Sequence, residues 1–118
     1  MRLCCLVLIV FIAGCKPAGP ELGLVSGRVT LDGQPVEGAR LKFQPDGNKP
    51  PSIGVTDKDG HYEAFYKRDI DGAQVGQHTI VIRTSDNPAI PAKYNDATEL
   101  RREVKVGKNE IDFELTSK

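Results

Sequence analysis

From Leu24 onward, apolar and polar residues alternate in short runs, the two-residue period of half-buried β-strands. Val25, Gly27, Val29 and Leu31 alternate with Ser26, Arg28 and Thr30, which predicts a first strand with one face inward. Asp32-Gly33-Gln34-Pro35 reads as a turn, and Ala39, Leu41 and Phe43 alternate with Arg40 and Lys42 in a second strand. Residues 45–51 (PDGNKPP) cannot sustain a sheet ladder and form a loop. Ile53 and Val55 open a third strand, which Asp57-Lys58-Asp59-Gly60 turns as a hairpin into a fourth over residues 61–66. A charged loop over residues 67–72 comes next. His78, Ile80 and Ile82 then face Thr79, Val81 and Arg83 in a fifth strand, apolar enough on both sides for an interior place in its sheet. Val104 and Val106 mark a sixth, Gly107-Lys108-Asn109 a turn, and Ile111, Phe113 and Leu115 a seventh. Turns about every ten residues around seven strands predict an all-β sandwich, with Phe43, Phe65, Ile80 and Phe113 in one core. The best helical candidate is residues 96–102, with Thr98 as its N-cap.

The segment before the strands has another character. After Met1-Arg2, residues 3–13 are an unbroken apolar run, about 17 Å long as a helix and well short of a ~30 Å hydrocarbon core. It reads as the hydrophobic region of an export signal. Ile12-Ala13-Gly14-Cys15 resembles the lipobox of bacterial lipoproteins: small residues admit the processing peptidase, and the thiol of Cys15 carries the lipid. The organisation expected is a signal peptide over residues 1–14, a lipidated Cys15 with a Pro- and Gly-rich tether to residue 23, and one domain over residues 24–118. Cys4 and Cys5 would leave with the signal, so the mature domain would hold neither free thiol nor disulfide.

Charge and chemistry narrow the function. The 118 residues hold 16 basic and 16 acidic side chains, a balance that gives no field for nucleic acid. His61 and His78 lack a companion thiol or a nucleophile-elbow serine; His61 reads as a surface residue beside its turn and His78 as a residue at a sheet margin. No zinc-ligand spacing occurs, and Asp57-x-Asp59-Gly60 has the start of a calcium loop but Arg68 where the closing Glu belongs. It reads as a tight turn in which Asp accepts backbone N–H groups and Gly takes positive φ. No enzyme activity, metal or cofactor is expected. The long connection over residues 84–100 offers two readings. It is a binding loop stiffened by Pro88 and Pro91 and presenting Lys93 and Tyr94, or a cap in which Ile90 and Tyr94 close an open end of the sandwich.

Gly27-Arg28-Val29-Thr30-Leu31-Asp32-Gly33-Gln34-Pro35-Val36-Glu37-Gly38-Ala39 resembles the opening of carboxypeptidase regulatory-like domains, which share the transthyretin (prealbumin-like) fold. Thr56-Asp57-Lys58-Asp59-Gly60-His61-Tyr62 and Val75-Gly76-Gln77-His78-Thr79-Ile80-Val81-Ile82 resemble that family's second hairpin and its next strand. Residues 90–95 and 109–115 resemble small bacterial lipoproteins carrying this domain alone. The resemblance implies a seven-stranded prealbumin-like (Ig-like) sandwich of accessory, non-catalytic character. No residue here matches the hormone site of transthyretin. Three functions fit: a lipid-anchored envelope module that is structural or binds protein or glycan, an accessory subunit of an exported hydrolase, or a small-ligand binder using an oligomer interface.

Overall fold

The computed structural model describes residues 20–85 and 88–118. Its strands are β1 (Leu22–Leu31), β2 (Gln34–Pro35), β3 (Arg40–Pro45), β4 (Ser52–Val55), β5 (His61–Glu63), β6 (Phe65–Lys67), β7 (Ile70–Asp71), β8 (Ala73–Gln74), β9 (Gly76–Arg83), β10 (Arg101–Val104), β11 (Lys108–Glu110) and β12 (Phe113–Leu115). Across the described residues the expectation of an all-β fold holds.

One sheet is built around β1. It pairs parallel with β11 at Leu24–Ser26 and with β12 at Val29–Leu31, and antiparallel with β2, β5 and β8. The other sheet is antiparallel, in the order β10-β9-β3-β4-β6-β7. The interior place expected for residues 78–83 is observed, since β9 pairs with both β3 and β10. Alternation drives the layering: Val25, Val29 and Leu31 of β1 and Phe113 and Leu115 of β12 face inward, opposite Leu41 and Phe43 of β3 and Ile80 and Ile82 of β9. The ring of Phe43 lies 6.0 Å from Tyr62 and 6.4 Å from Phe113, tilted or edge-on as ring quadrupoles prefer.

Several sequence-based expectations need correction. Residues 61–66 do not form one strand. His61–Glu63 pairs with β1, whereas Phe65 pairs with Ile53 in the other sheet, so the chain changes sheet at the buried Ala64. That crossing turns Tyr62 inward and leaves Phe65 41% exposed, outside the core. For the same reason residues 57–60 are a turn between sheets and not a hairpin between paired strands. The charged loop at 67–72 contains a short ladder of β6 with β7. The sixth strand ends at Val104, leaving Val106 exposed, while Lys108 and Asn109, expected in a turn, belong to β11. β1 begins at Leu22, inside the expected tether.

Residues 96–102 form no helix. The single helical turn among the described residues is a 3-10 turn over Ala92–Tyr94, and Arg101 already lies in β10. Thr98 serves the sheet instead: its hydroxyl donates to the Ile80 carbonyl (2.7 Å) and accepts the Leu100 N–H (3.1 Å). His78 is fully buried rather than marginal, because its strand is covered by the opposite sheet.

Candidate functional site

The sequence singled out Cys15 and the connection over residues 84–100. Cys15 lies outside the described residues. In the connection, Pro88 and Lys93 are exposed, and Pro91 and Tyr94 half-buried. Pro91, at φ −58° and ψ 149°, precedes the 3-10 turn. Its fixed φ and missing N–H suit the start of such a turn.

Residues 92–96 are tied to the sandwich. The Asn95 side-chain amide donates to the carbonyls of Ile82, Ile90 and Pro91, each at 3.2 Å, so one side chain joins the end of β9 to both halves of the loop. The Tyr94 ring packs beside the core, and its hydroxyl accepts the Thr116 N–H at 3.0 Å, just beyond β12. Burial alone pushes the Tyr94 phenol up, but the Thr116 hydroxyl and amide, with the Lys93 ammonium, outweigh it and hold the group below its usual range. Lys93 Nζ stands 5.2 Å from the Tyr94 ring centre and donates to Thr116 Oγ1 (3.2 Å) and to the Lys118 carbonyl. Arg83 and Asp96 close the base of the loop as an exposed ion pair at 2.8 Å. Ile90 is buried against the core. These contacts are the ones a cap requires. The outer surface of the same segment, Pro88 and Lys93, stays open to solvent.

Pattern reading missed a second feature. Ser26 and Arg28 of β1, His61 and Glu63 of β5, and Glu110 and Asp112 beside β1 line an open concavity of about 670 Å³, together with Val55 and Asp57. Ser26, Arg28, His61, Glu63 and Glu110 are strand positions that the pairing register brings together, and Asp112 joins them from the break between β11 and β12. The cluster is engaged locally. Asp112 Oδ1 accepts the Arg28 N–H at 2.9 Å, Arg28 Nε donates to the Asp59 carbonyl at 3.1 Å, and Asp57 Oδ1 accepts the amides of Asp59 and His61 at 2.8 and 3.0 Å. Those two amides hold the Asp57 carboxyl below its usual range. With Gly60 at φ +81°, this is the Asp- and Gly-shaped turn expected. No group of three or more His, Cys, Asp or Glu among the described residues is arranged to hold a metal ion.

The two histidines are not brought together: His61 is exposed on the first sheet, and His78 sits between the sheets. His78 Nε2 lies 2.6 Å from the Gln74 carbonyl, so the proton sits on Nε2. Its Nδ1 and Ser52 Oγ are buried without a hydrogen-bond partner among the described residues.

The fold has a known counterpart. It is similar to a crystal structure of a DUF3823 family protein from Parabacteroides merdae ATCC 43184, with a TM-score of 0.57 and 20% identity over 81% of this chain. The likeness is one of fold. This chain spans only 46% of the length of that one. No known family model matches the sequence, and no curated protein does.

Proposed function

We propose that the protein is a lipid-anchored, non-catalytic β-sandwich module of the bacterial cell envelope, related to carboxypeptidase regulatory-like domains and working structurally or by binding protein or glycan. The observation that carries this reading is Ile12-Ala13-Gly14-Cys15 after an eleven-residue apolar run. The β-domain begins at Leu22, a few residues later, so the segment between is long enough only for a tether. No helix among the described residues is long and apolar enough to cross a membrane. A diacylglycerol thioether and an amide-linked chain on Cys15 meet the two-signal requirement for stable attachment.

For binding, the open face of the capping loop supports Lys93 and Tyr94, framed by Pro88 and Pro91, as the contact residues. A phenol backed by the core presents large area at low entropy cost.

Cys15→Ala in the exporting host tests the anchor. The parent chain is expected to take up labelled palmitate and to float with membranes, and the variant to do neither. A variant that still incorporates palmitate and floats refutes it.

A further inference from the structure

Among the described residues, five large apolar side chains are more than about a third exposed: Leu24, Val55, Phe65, Ile70 and Val106. Scattered singly, such residues are ordinary surface, but contiguous ones mark contact sites. Three of them lie on segments that converge at one end of the sandwich. Leu22 and Gly23 pair with Gln74 and Ala73, Leu24 pairs with Lys108, and the Leu24 N–H donates to the Gly107 carbonyl. The Val75 N–H donates to the Glu21 carbonyl. Asn109 clamps the turn between β10 and β11, its side-chain amide donating to both Lys105 (2.8 Å) and Leu24 (3.0 Å) carbonyls. The start of β1 is thus flanked on one side by β8, which follows the β7 strand carrying Ile70, and on the other by the turn carrying Val106. Phe65 lies one pair along, opposite Asp71.

Cations interleave with these side chains. Lys67 and Arg68 adjoin Ile70, and Lys105 and Lys108 bracket Val106; all four are exposed, and none belongs to an ion pair among the described residues. Glu21, Asp69 and Asp71 share the region, so its charge is only slightly positive and its apolar groups must supply most of any attraction.

We propose that this end of the sandwich, centred on Leu24, Ile70 and Val106, rests on the surface of the bilayer that holds the lipid anchor. The inference depends on the reading of Cys15 as that anchor. Its occupant is dictated by chain length. Only six residues separate Cys15 from Leu22, so a fully extended tether keeps the start of β1 within about 25 Å of the acylated cysteine. Side chains at this end therefore meet headgroups at high local concentration. Interfacial binding needs only apolar groups at the headgroup–acyl boundary with lysine and arginine at phosphate level. Val55 pairs with Arg40, itself opposite Arg83 at the end of β9 away from Gly76 and Val104, and is exposed to a similar degree, giving an internal control.

Val106→Cys and Val55→Cys, made singly in the full chain, test the orientation. After processing removes Cys4 and Cys5 and acylation occupies Cys15, each variant carries one free thiol for a fluorophore. The lipidated protein is reconstituted into vesicles of phosphatidylethanolamine and phosphatidylglycerol containing a headgroup-nitroxide lipid. Quenching is expected to be about threefold or more stronger at position 106 than at position 55 for interfacial insertion of that end. Equal quenching, or stronger quenching at 55, in protein that floats with the vesicles overturns the docking while leaving the anchor standing. Protein that neither floats nor takes up labelled palmitate overturns the anchor and the docking with it.

Discussion

Phe113 shows how much one inward residue carries. Its ring lies 6.4 Å from Phe43 and 6.3 Å from Tyr62, and the Arg102 guanidinium stands 5.0 Å above it. Phe113→Ala is expected to cost about 3–5 kcal/mol in urea unfolding, since the sheets on both sides cannot collapse into the space. Phe65→Ala is expected to cost less than ~1 kcal/mol, because its ring faces solvent. Equal losses would contradict the inward and outward assignments. Alternation placed Phe43, Ile80 and Phe113 correctly and failed at Phe65. Across residues 61–66 the period of two is preserved while the chain changes sheet, so pattern alone cannot say which face counts as inward. Tyr62 has a further role. Its hydroxyl donates to the Ile111 carbonyl at 2.5 Å, and burial raises the phenol, with the nearby Asp112 charge adding to the effect and Arg102 opposing it.

Among the elements, β1 has the most demanding surroundings. Its parallel partner is interrupted between β11 and β12: residues 111–112 lie opposite Gly27 and Arg28 in unbroken register, and the Asp112 carboxylate accepts the Arg28 N–H. The Ile111 N–H donates to the Ser26 carbonyl, and the Ile111 carbonyl comes so near that a Cβ on Gly27 would stand 2.0 Å from the oxygen. Gly27→Ala is expected to lose roughly 1–3 kcal/mol or more, an overpacking cost met by parting the two strands. A variant that melts with the parent would show that the Ile111 carbonyl can move away from position 27. The turn from β1 to β2 was legible because Asp32 (φ +52°) and Gly33 (φ +85°) are residue types suited to a two-residue hairpin. The interruption at residues 111–112 was not, since Ile111 to Leu115 alternates without a break in sequence. The capping loop was half legible. Its length and prolines were visible, but Asn95, whose amide joins Ile82, Ile90 and Pro91, looked like an ordinary loop residue. Asn95→Ala is expected to cost about 1–3 kcal/mol, because half-buried carbonyls lose their donor, and to raise hydrogen exchange across residues 88–98. If exchange there is unchanged, the loop is held by Tyr94 and Ile90 alone.

The whole molecule inherits its acid response from three carboxylates. Asp32 is held low by the Ser117 hydroxyl and amide, Asp46 by the Arg101 guanidinium, and Asp57 by the amides of Asp59 and His61. A folded-state value depressed below the ordinary 3.8 means that folding is favoured while the groups are ionised. That contribution is complete above the ordinary value and disappears as pH falls through it toward the folded values. The urea midpoint is therefore expected to be flat near neutrality and to drop below about pH 4, less steeply in Asp57→Asn. A midpoint that rises on acidification would contradict this. The parallel pairing of β1 with β12 has a mechanical meaning as well. A domain held at its N-terminus and loaded through its C-terminal strand is pulled along two adjacent strands in opposite directions. Their ladder is then strained in shear, every hydrogen bond bearing load together, where an antiparallel hairpin opened from its ends would unzip one bond at a time. Loaded along that axis, the sandwich would thus yield slowly.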